Sequence, residues 1–176
     1  MDFMELCMIR QSCRSFDDRP VPHEMLMRIA EAARLAPSGC NSQPWKFYFV
    51  ESEEKVAVLR EAAQQLGFNG FLDKAKAFAV VVETYAQLAP SLLKIVDSQT
   101  FAEMDIGAAT AYISLAASDL GVGNCQIGFF DRATVAETLK IDKSLRIRSL
   151  IAFGMPADGS IKTKGRKPMD EVAEFV

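Results

Sequence analysis

Residues 10–16 read Arg-Gln-Ser-Cys-Arg-Ser-Phe, which sets two guanidinium groups, Arg10 and Arg14, four positions apart with the Ser12 hydroxyl between them. On an exposed helix such a pair of like charges repels by about 0.2–0.5 kcal/mol. An arginine beside apolar surface also needs a partner. A bound anion would answer both costs, because guanidinium forks match phosphate oxygens. Plain solvation, or pairing with Asp17 and Asp18, would answer them too. A second basic group, Lys164-Gly165-Arg166, lies near the C-terminus, and its glycine lets backbone approach a ligand closely. A solvated basic tail is the competing explanation. Between Pro37 and Pro44, Ser38, Asn41 and Gln43 offer hydrogen-bonding groups on a stiffened loop, as a binding site or as an Asx turn. Ile127 and Gly128 close an apolar segment, where a flat ring could pack on bare backbone or where the chain simply turns.

Other chemistry has little to work with. His23 is the one histidine, and the four cysteines (Cys7, Cys13, Cys40, Cys125) form no C-x-x-C pair. A zinc site or a histidine-based triad is therefore not expected. The thiols read as reduced and mostly buried, which suits a cytoplasmic protein. A formal charge of −3 argues against a general nucleic-acid binder. No Walker loop occurs and no GxGxxG follows a strand, so a phosphate would be held by side-chain cations. The first ten residues lack the continuous apolar run of a signal peptide. Ile106 to Val122 is short for a membrane span and carries polar residues, so it reads as a buried helix.

The elements that must position these groups follow from periodicity. Residues 2–13 read as a helix, with Phe3, Leu6, Cys7 and Arg10 on one face and Arg14 on the same side. Ser12 can share that ligand only if the helix ends within 10–16, since an i+2 residue on a helix faces elsewhere. Pro22 opens a second helix with Leu26, Ile29, Ala30 and Ala33 inward, and Pro37 ends it. "WKFYFV" reads as a strand covered on both faces, and "AFAVVVET" as a second buried strand. Between them a helix over 53–66 places Val56, Leu59, Ala63 and Leu66 inward. A short helix is expected near Leu88–Val96, and a long one over 101–120 ending at Gly121. "GNCQIGFF" reads as a short strand or loop, Asp131 as the N-cap of a helix carrying Val135 and Leu139, and "RIRSLIAFG" as a further strand. A chain of 176 residues organised this way is one α/β or α+β domain, with a polar tail from about 157 that could wrap a partner chain.

Taken together, "RQSCRSF", "LAPSGCNSQPW", "DIGAATAYISLAASDLGVG", "CQIGFF", "FGMP" and "KGRKP" occur in an order and spacing that resemble the nitroreductase family of FMN-dependent NAD(P)H oxidoreductases. The resemblance covers nearly the whole chain. It implies an α+β fold, a helix-flanked mixed β-sheet, in an intertwined homodimer with two FMN sites at the interface. It implies one domain over 1–176, with the tail from about 157 to 176 extending over the partner. By match, Arg10 holds the FMN phosphate, with Gln11 beside it where the family often has arginine or histidine. Ser12 bonds the ribityl chain or ring edge, and Arg14 lies near the pyrimidine edge. Lys164 and Arg166 match cations that close over the phosphate. Pro37, Ser38, Gly39, Asn41 and Gln43 match the loop that approaches the flavin, often from the other subunit; Gly39 stands where serine or alanine is common. Ile127 and Gly128 match the segment packed on the ring. Asn69 falls near a family asparagine at the pyrimidine edge, and Lys74 and Lys76 both fit the nearby basic position.

The implied reaction is a ping-pong cycle in which NAD(P)H delivers hydride to the flavin and an oxidant, a nitroaromatic or quinone, then takes electrons from the same face. No protein nucleophile or base is needed, which agrees with a single histidine. The short chain leaves little room for a roof, so residues 85–100, with Leu88, Leu92 and Leu93, are the natural pocket wall. Two alternatives keep the flavin: reductive dehalogenation or another reaction on the same scaffold, and a redox protein reduced by a protein donor.

Overall fold

The computed structural model describes residues 1–176, apart from the side chain of Leu66, so the inward placement expected of that residue lies outside the described residues. Five helices surround one sheet: α1 (Phe3–Ile9), α2 (His23–Arg34), α3 (Glu53–Ala63), α4 (Ser98–Asp119) and α5 (Arg132–Leu139). The strands are β1 (Trp45–Val50), β2 (Ala77–Glu83), β3 (Gly123–Ile127) and β4 (Arg146–Gly154), in spatial order β1-β2-β4-β3. All three pairings between named strands are antiparallel. The parallel component of the expected mixed sheet is a single bridge, Ser12 to Asn124.

The central strands explain the layers. β2 is buried at every position, as expected for a strand covered on both faces. Phe78, Val80 and Val82 face one core with Val56 and Leu59 of α3 and Val135 of α5. Ala77, Ala79 and Val81 face the other, with Ile29 of α2 and Ile113 of α4. β1 is an edge strand and only partly covered, with Phe47 and Phe49 on one core and Tyr48 on the other.

Local signals set the ends. Asp131 accepts the N–H groups of Ala133 and Thr134 and caps α5, a contribution of about 1 kcal/mol for such a cap. α4 ends where Gly121 takes a φ of +71°; Gly121 N–H then bonds the Ser118 carbonyl and Val122 N–H the Ala117 carbonyl. That paired pattern satisfies carbonyls the helix would leave open.

Two expected helices differ. The first ends at Ile9 with Arg10 as its cap, not at residue 13. Cys13 N–H bonds the Asn124 carbonyl instead, so residues 11–13 run extended beside β3. Within residues 88–96, 90–95 form turns, and no helix forms. The backbone bonds from Leu93 to Ala89 and from Val96 to Leu92 are not joined into a ladder. A short helix needs a packed face to persist, and Leu92, Leu93 and Ile95 are exposed here. Among the described residues no helix is long and apolar enough to cross a membrane.

Candidate functional site

The early end of α1 changes what aligns Arg10, Ser12 and Arg14. In an extended segment alternate residues share a face, so i, i+2 and i+4 point together. The outward residues are then Arg10, Ser12 and Arg14; Ser12 and Arg14 are exposed and Arg10 half-buried. Gln11 and Cys13 face the other way, and the alternation ends at the exposed Ser15, after which Phe16 turns into the core. Cys13 packs on the core and sits over Gly123, where a Cβ would lie 2.8 Å from its sulfur. Phe16 packs over Gly154 in the same way, with 2.7 Å to its ring. The two glycines thus admit the segment against the sheet. Gln11 uses its amide on the tail, donating to the Ser160 carbonyl at 2.6 Å and accepting Lys162 N–H at 3.0 Å.

That bracket brings Lys164 to Arg10. Lys164 Nζ donates to the Cys7 carbonyl at 2.6 Å, at the end of α1. Partial burial, and then the neighbouring charges of Arg10 and Arg166, push its pKa below the usual lysine value. Three cations therefore converge, and none of them, nor Arg14, makes an ion pair among the described residues. The acids that could have served Arg10 and Arg14 are taken: Asp17 pairs with Arg19 at 2.6 Å and Asp18 with Lys74 at 2.9 Å. Asp17 and Asp18 sit below the ordinary carboxylate range because of these side-chain bonds.

Further along the same edge, Ser12 and Arg14 lie beside the buried Cys125 thiol. Burial raises that thiol's pKa, against the lowering effect of Arg14 and a Ser12 bond. β3 then delivers Ile127, buried, and Gly128, exposed with no atom within 4 Å of a would-be Cβ. Phe129 stands edge-on to Phe68 with ring centroids 5.2 Å apart, and both are exposed. Asn69 follows Phe68 with a φ of +57° and donates to the Ala63 carbonyl at 2.8 Å. Phe71 packs against Phe16, and Lys74 reaches Asp18. Arg10 and Arg166 thus neighbour Lys164, Ser12 and Arg14 neighbour Cys125 of β3, β3 runs on to Ile127 and Gly128, and Asn69 follows the Phe68 that touches Phe129. Lys74 is committed to an ion pair; Lys76 is half-buried and makes none among the described residues.

The loop at 37–43 lies elsewhere. Gly39 N–H donates to both carboxylate oxygens of Asp105, at 3.1 and 3.0 Å, and its Cα faces Phe101. The Ser12 end is fixed through Asn124, whose amide donates to the Ser114 carbonyl and the Ser118 hydroxyl. Asp105 and Ser114–Ser118 are roughly 14–20 Å apart along α4 at 1.5 Å per residue. The loop is also strained: Cys40, Asn41 and Gln43 have φ of 53°, 54° and 48°. Left-handed non-glycine residues cost about 1–3 kcal/mol each and gather at ligand sites. Ser38 steadies the turn by accepting Gln43 N–H at 3.0 Å, and the Gln43 amide bonds Asn41.

Asn124, Phe101 and Asp105 escaped the sequence reading. Asp105 did leave a signal, an acid in the first half of a helix otherwise read as core.

The chain is thus an α+β protein with a cationic edge that makes no ion pair among the described residues, bare backbone beside it and a strained polar loop. The pattern that defines the nitroreductase family matches residues 8–155, and the chain belongs to that family. A protein of Archaeoglobus fulgidus whose name pairs NADH dehydrogenase with NAD(P)H nitroreductase is 32% identical over 163 residues, covering 88% of each chain. FMN reductase [NAD(P)H] of Bacillus subtilis is 29% identical over 174 residues, 92% of this chain and 68% of that one. A protein of Desulfovibrio desulfuricans solved in complex with FMN is 25% identical and superposes with a TM-score of 0.79, covering 98% of this chain and 96% of the other.

Proposed function

We propose that this chain is an FMN enzyme that oxidises NAD(P)H and reduces nitroaromatics, quinones or similar acceptors in a ping-pong cycle. The observation that supports the reading is that Arg10 and Arg166 neighbour Lys164 and none of the three makes an ion pair among the described residues. A phosphate monoester removes that repulsion and gains charge-assisted bonds. FMN supplies the hydride acceptance and electron donation; the chain supplies binding, orientation and electrostatics.

Each residue then has a task. Arg10, Lys164 and Arg166 hold the phosphate, and Gln11 fixes the tail so that Lys164 reaches it. Ser12 bonds the ribityl chain or ring edge. Arg14 and Asn69 face the pyrimidine edge, where the Arg14 cation stabilises negative charge. Ile127 and Gly128 give the ring a flat, open support. Lys76, free of the ion pair that holds Lys74, is the basic group at that edge.

The separation along α4 supports a site shared by two copies. Pro37, Ser38, Gly39, Asn41 and Gln43 sit too far along that helix to close over the cationic edge of their own chain. In a homodimer they would meet the flavin of the other copy. The exposed apolar tail end, Met169, Val172, Phe175 and Val176, fits a tail from 157 that continues over a partner, within a single domain of 176 residues.

Anaerobic mixing of the FMN-loaded protein with NADH or NADPH tests the activity. Rapid bleaching of the flavin by either donor, and its return on adding a quinone, is expected. A flavin that neither donor bleaches overturns the reading.

A further inference from the structure

Residues 84–97 leave β2 and return into α4 without forming a helix. Gln99, in the first turn of α4, ties the start of this strap to the helix. Its side-chain oxygen accepts Ala86 N–H at 3.2 Å, and its amide donates to the Thr84 carbonyl at 3.4 Å and to the Glu83 carboxylate. Glu83 is only 3% exposed, yet it ends a strand otherwise made of alanine, valine and phenylalanine. Its other partner is Arg148, which also reaches Glu103 of α4 at 2.7 Å. The pairing of β2 with β4 explains how Arg148 arrives there. Val81 opposes Ser149 while Val82 opposes Ile147, so Arg148 is the extra residue of a bulge. Bulges re-aim a side chain in this way.

The same frame holds the loop at 37–43. Trp45 stands opposite Glu83 in the sheet, and Thr84 N–H donates to the Pro44 carbonyl at 3.0 Å. Phe101 and Asp105, two and six residues beyond Gln99, hold Gly39. Strap and loop therefore rise side by side from one rigid corner. The strap turns Tyr85, Leu92, Leu93 and Ile95 outward, an apolar set with only Lys94 charged between Tyr85 and Val96.

We propose that Glu83, acting with Gln99 and Arg148, is a positioning residue that fixes the strap 84–97 as the apolar wall against which a flat, uncharged oxidant docks. This rests on the reading that the loop at 37–43 faces a flavin. Fixing the wall lowers the ordering cost of the oxidant complex, so the clamp acts on KM for such oxidants. Ferricyanide, a compact anion with no apolar face, gains nothing from it.

The test uses FMN-loaded Gln99→Ala and Glu83→Gln. Should the buried Glu83 variant fail to fold, Gln99→Ala leaves the pairs of Arg148 with Glu83 and Glu103 intact. Amide hydrogen exchange across 84–97 should quicken by about tenfold, with β2 and β4 unchanged. KM for a quinone such as menadione should rise about fivefold with kcat held, while FMN affinity and ferricyanide turnover stay the same. Unaltered exchange in Gln99→Ala overturns the clamp, whatever the protein binds. Faster exchange with an unmoved menadione KM overturns the wall. Failure to bind FMN overturns the functional reading, and the wall with it.

Discussion

Lys164→Met separates a ligand-binding lysine from a structural one, because the two roles predict opposite consequences. In the free protein Lys164 makes one bond, to the Cys7 carbonyl, and stands against Arg10 and Arg166. Losing a bond to a charged donor costs about 1.5–3 kcal/mol when the acceptor is left unsatisfied, and less where water replaces it. Removing the central cation of three relieves repulsion, and methionine keeps most of the apolar stem. These terms oppose each other, and a net change of about 1 kcal/mol or less moves Tm by roughly 2–4 °C in a domain of this size. With phosphate bound, a charge-assisted contact worth about 1.5–3 kcal/mol is lost with no compensation. That is a rise in FMN Kd of roughly 10- to 150-fold. Fluorescence titration of the apoprotein with FMN, beside thermal denaturation of the same samples, reads both numbers. A Kd within threefold of the unsubstituted protein would refute the phosphate role. A Tm drop of more than 10 °C would show that Lys164 serves the fold.

FMN affinity should fall as pH rises through the lowered pKa of Lys164, short of the ordinary 10.5, and the fall should vanish in Lys164→Met; titrations across the alkaline range check it. The sign for stability is opposite. A lysine whose folded pKa is depressed carries its cost at neutral pH and below, and the cost is relieved as pH rises past that value, so the apoprotein gains from this residue at alkaline pH. Arg14→Ala should lower the flavin midpoint potential and weaken FMN binding, since a cation at the ring edge favours the anionic reduced form; a potentiometric titration that leaves the potential unmoved would place Arg14 elsewhere. Gly123→Ala puts a Cβ 2.8 Å from Cys13 Sγ and 3.0 Å from the Gly154 carbonyl, so the segment at 10–16 must shift. Overpacking of this kind costs about 1–3 kcal/mol, and denaturant unfolding with FMN titration should show both stability and affinity reduced.

Much of the scaffold was legible because its signals are local. Asp131 capped the helix it was expected to cap, Gly121 ended α4, and the apolar run 77–83 became the fully buried strand. The first helix was overextended because Phe3, Leu6, Cys7 and Arg10 do keep helical spacing. What stops it is the bond from Cys13 to Asn124, a partner on β3 that no local window contains. Arg10, Ser12 and Arg14 thus align by the period of a strand, which removes the difficulty Ser12 posed on a helix. Residues 88–96 misled for the converse reason: their helical spacing is present, but Leu92, Leu93 and Ile95 are exposed and no packed face rewards it. The holders of the site, Asn124, Asp105 and Gln99, act through contacts distant in sequence, and single polar residues in apolar stretches gave only a faint sign of them.

In the proposed function Arg10, Lys164 and Arg166 hold the phosphate of a flavin shared between two copies. The most direct measurement is the visible spectrum of the purified protein, with titration of the apoprotein by FMN and, in parallel, by riboflavin. Oxidised-flavin absorbance is expected, with saturation at one FMN per chain on a dimer and riboflavin bound at least about tenfold more weakly for want of the phosphate. A protein that stays colourless after mixing with FMN, or that binds riboflavin as tightly as FMN, would contradict it.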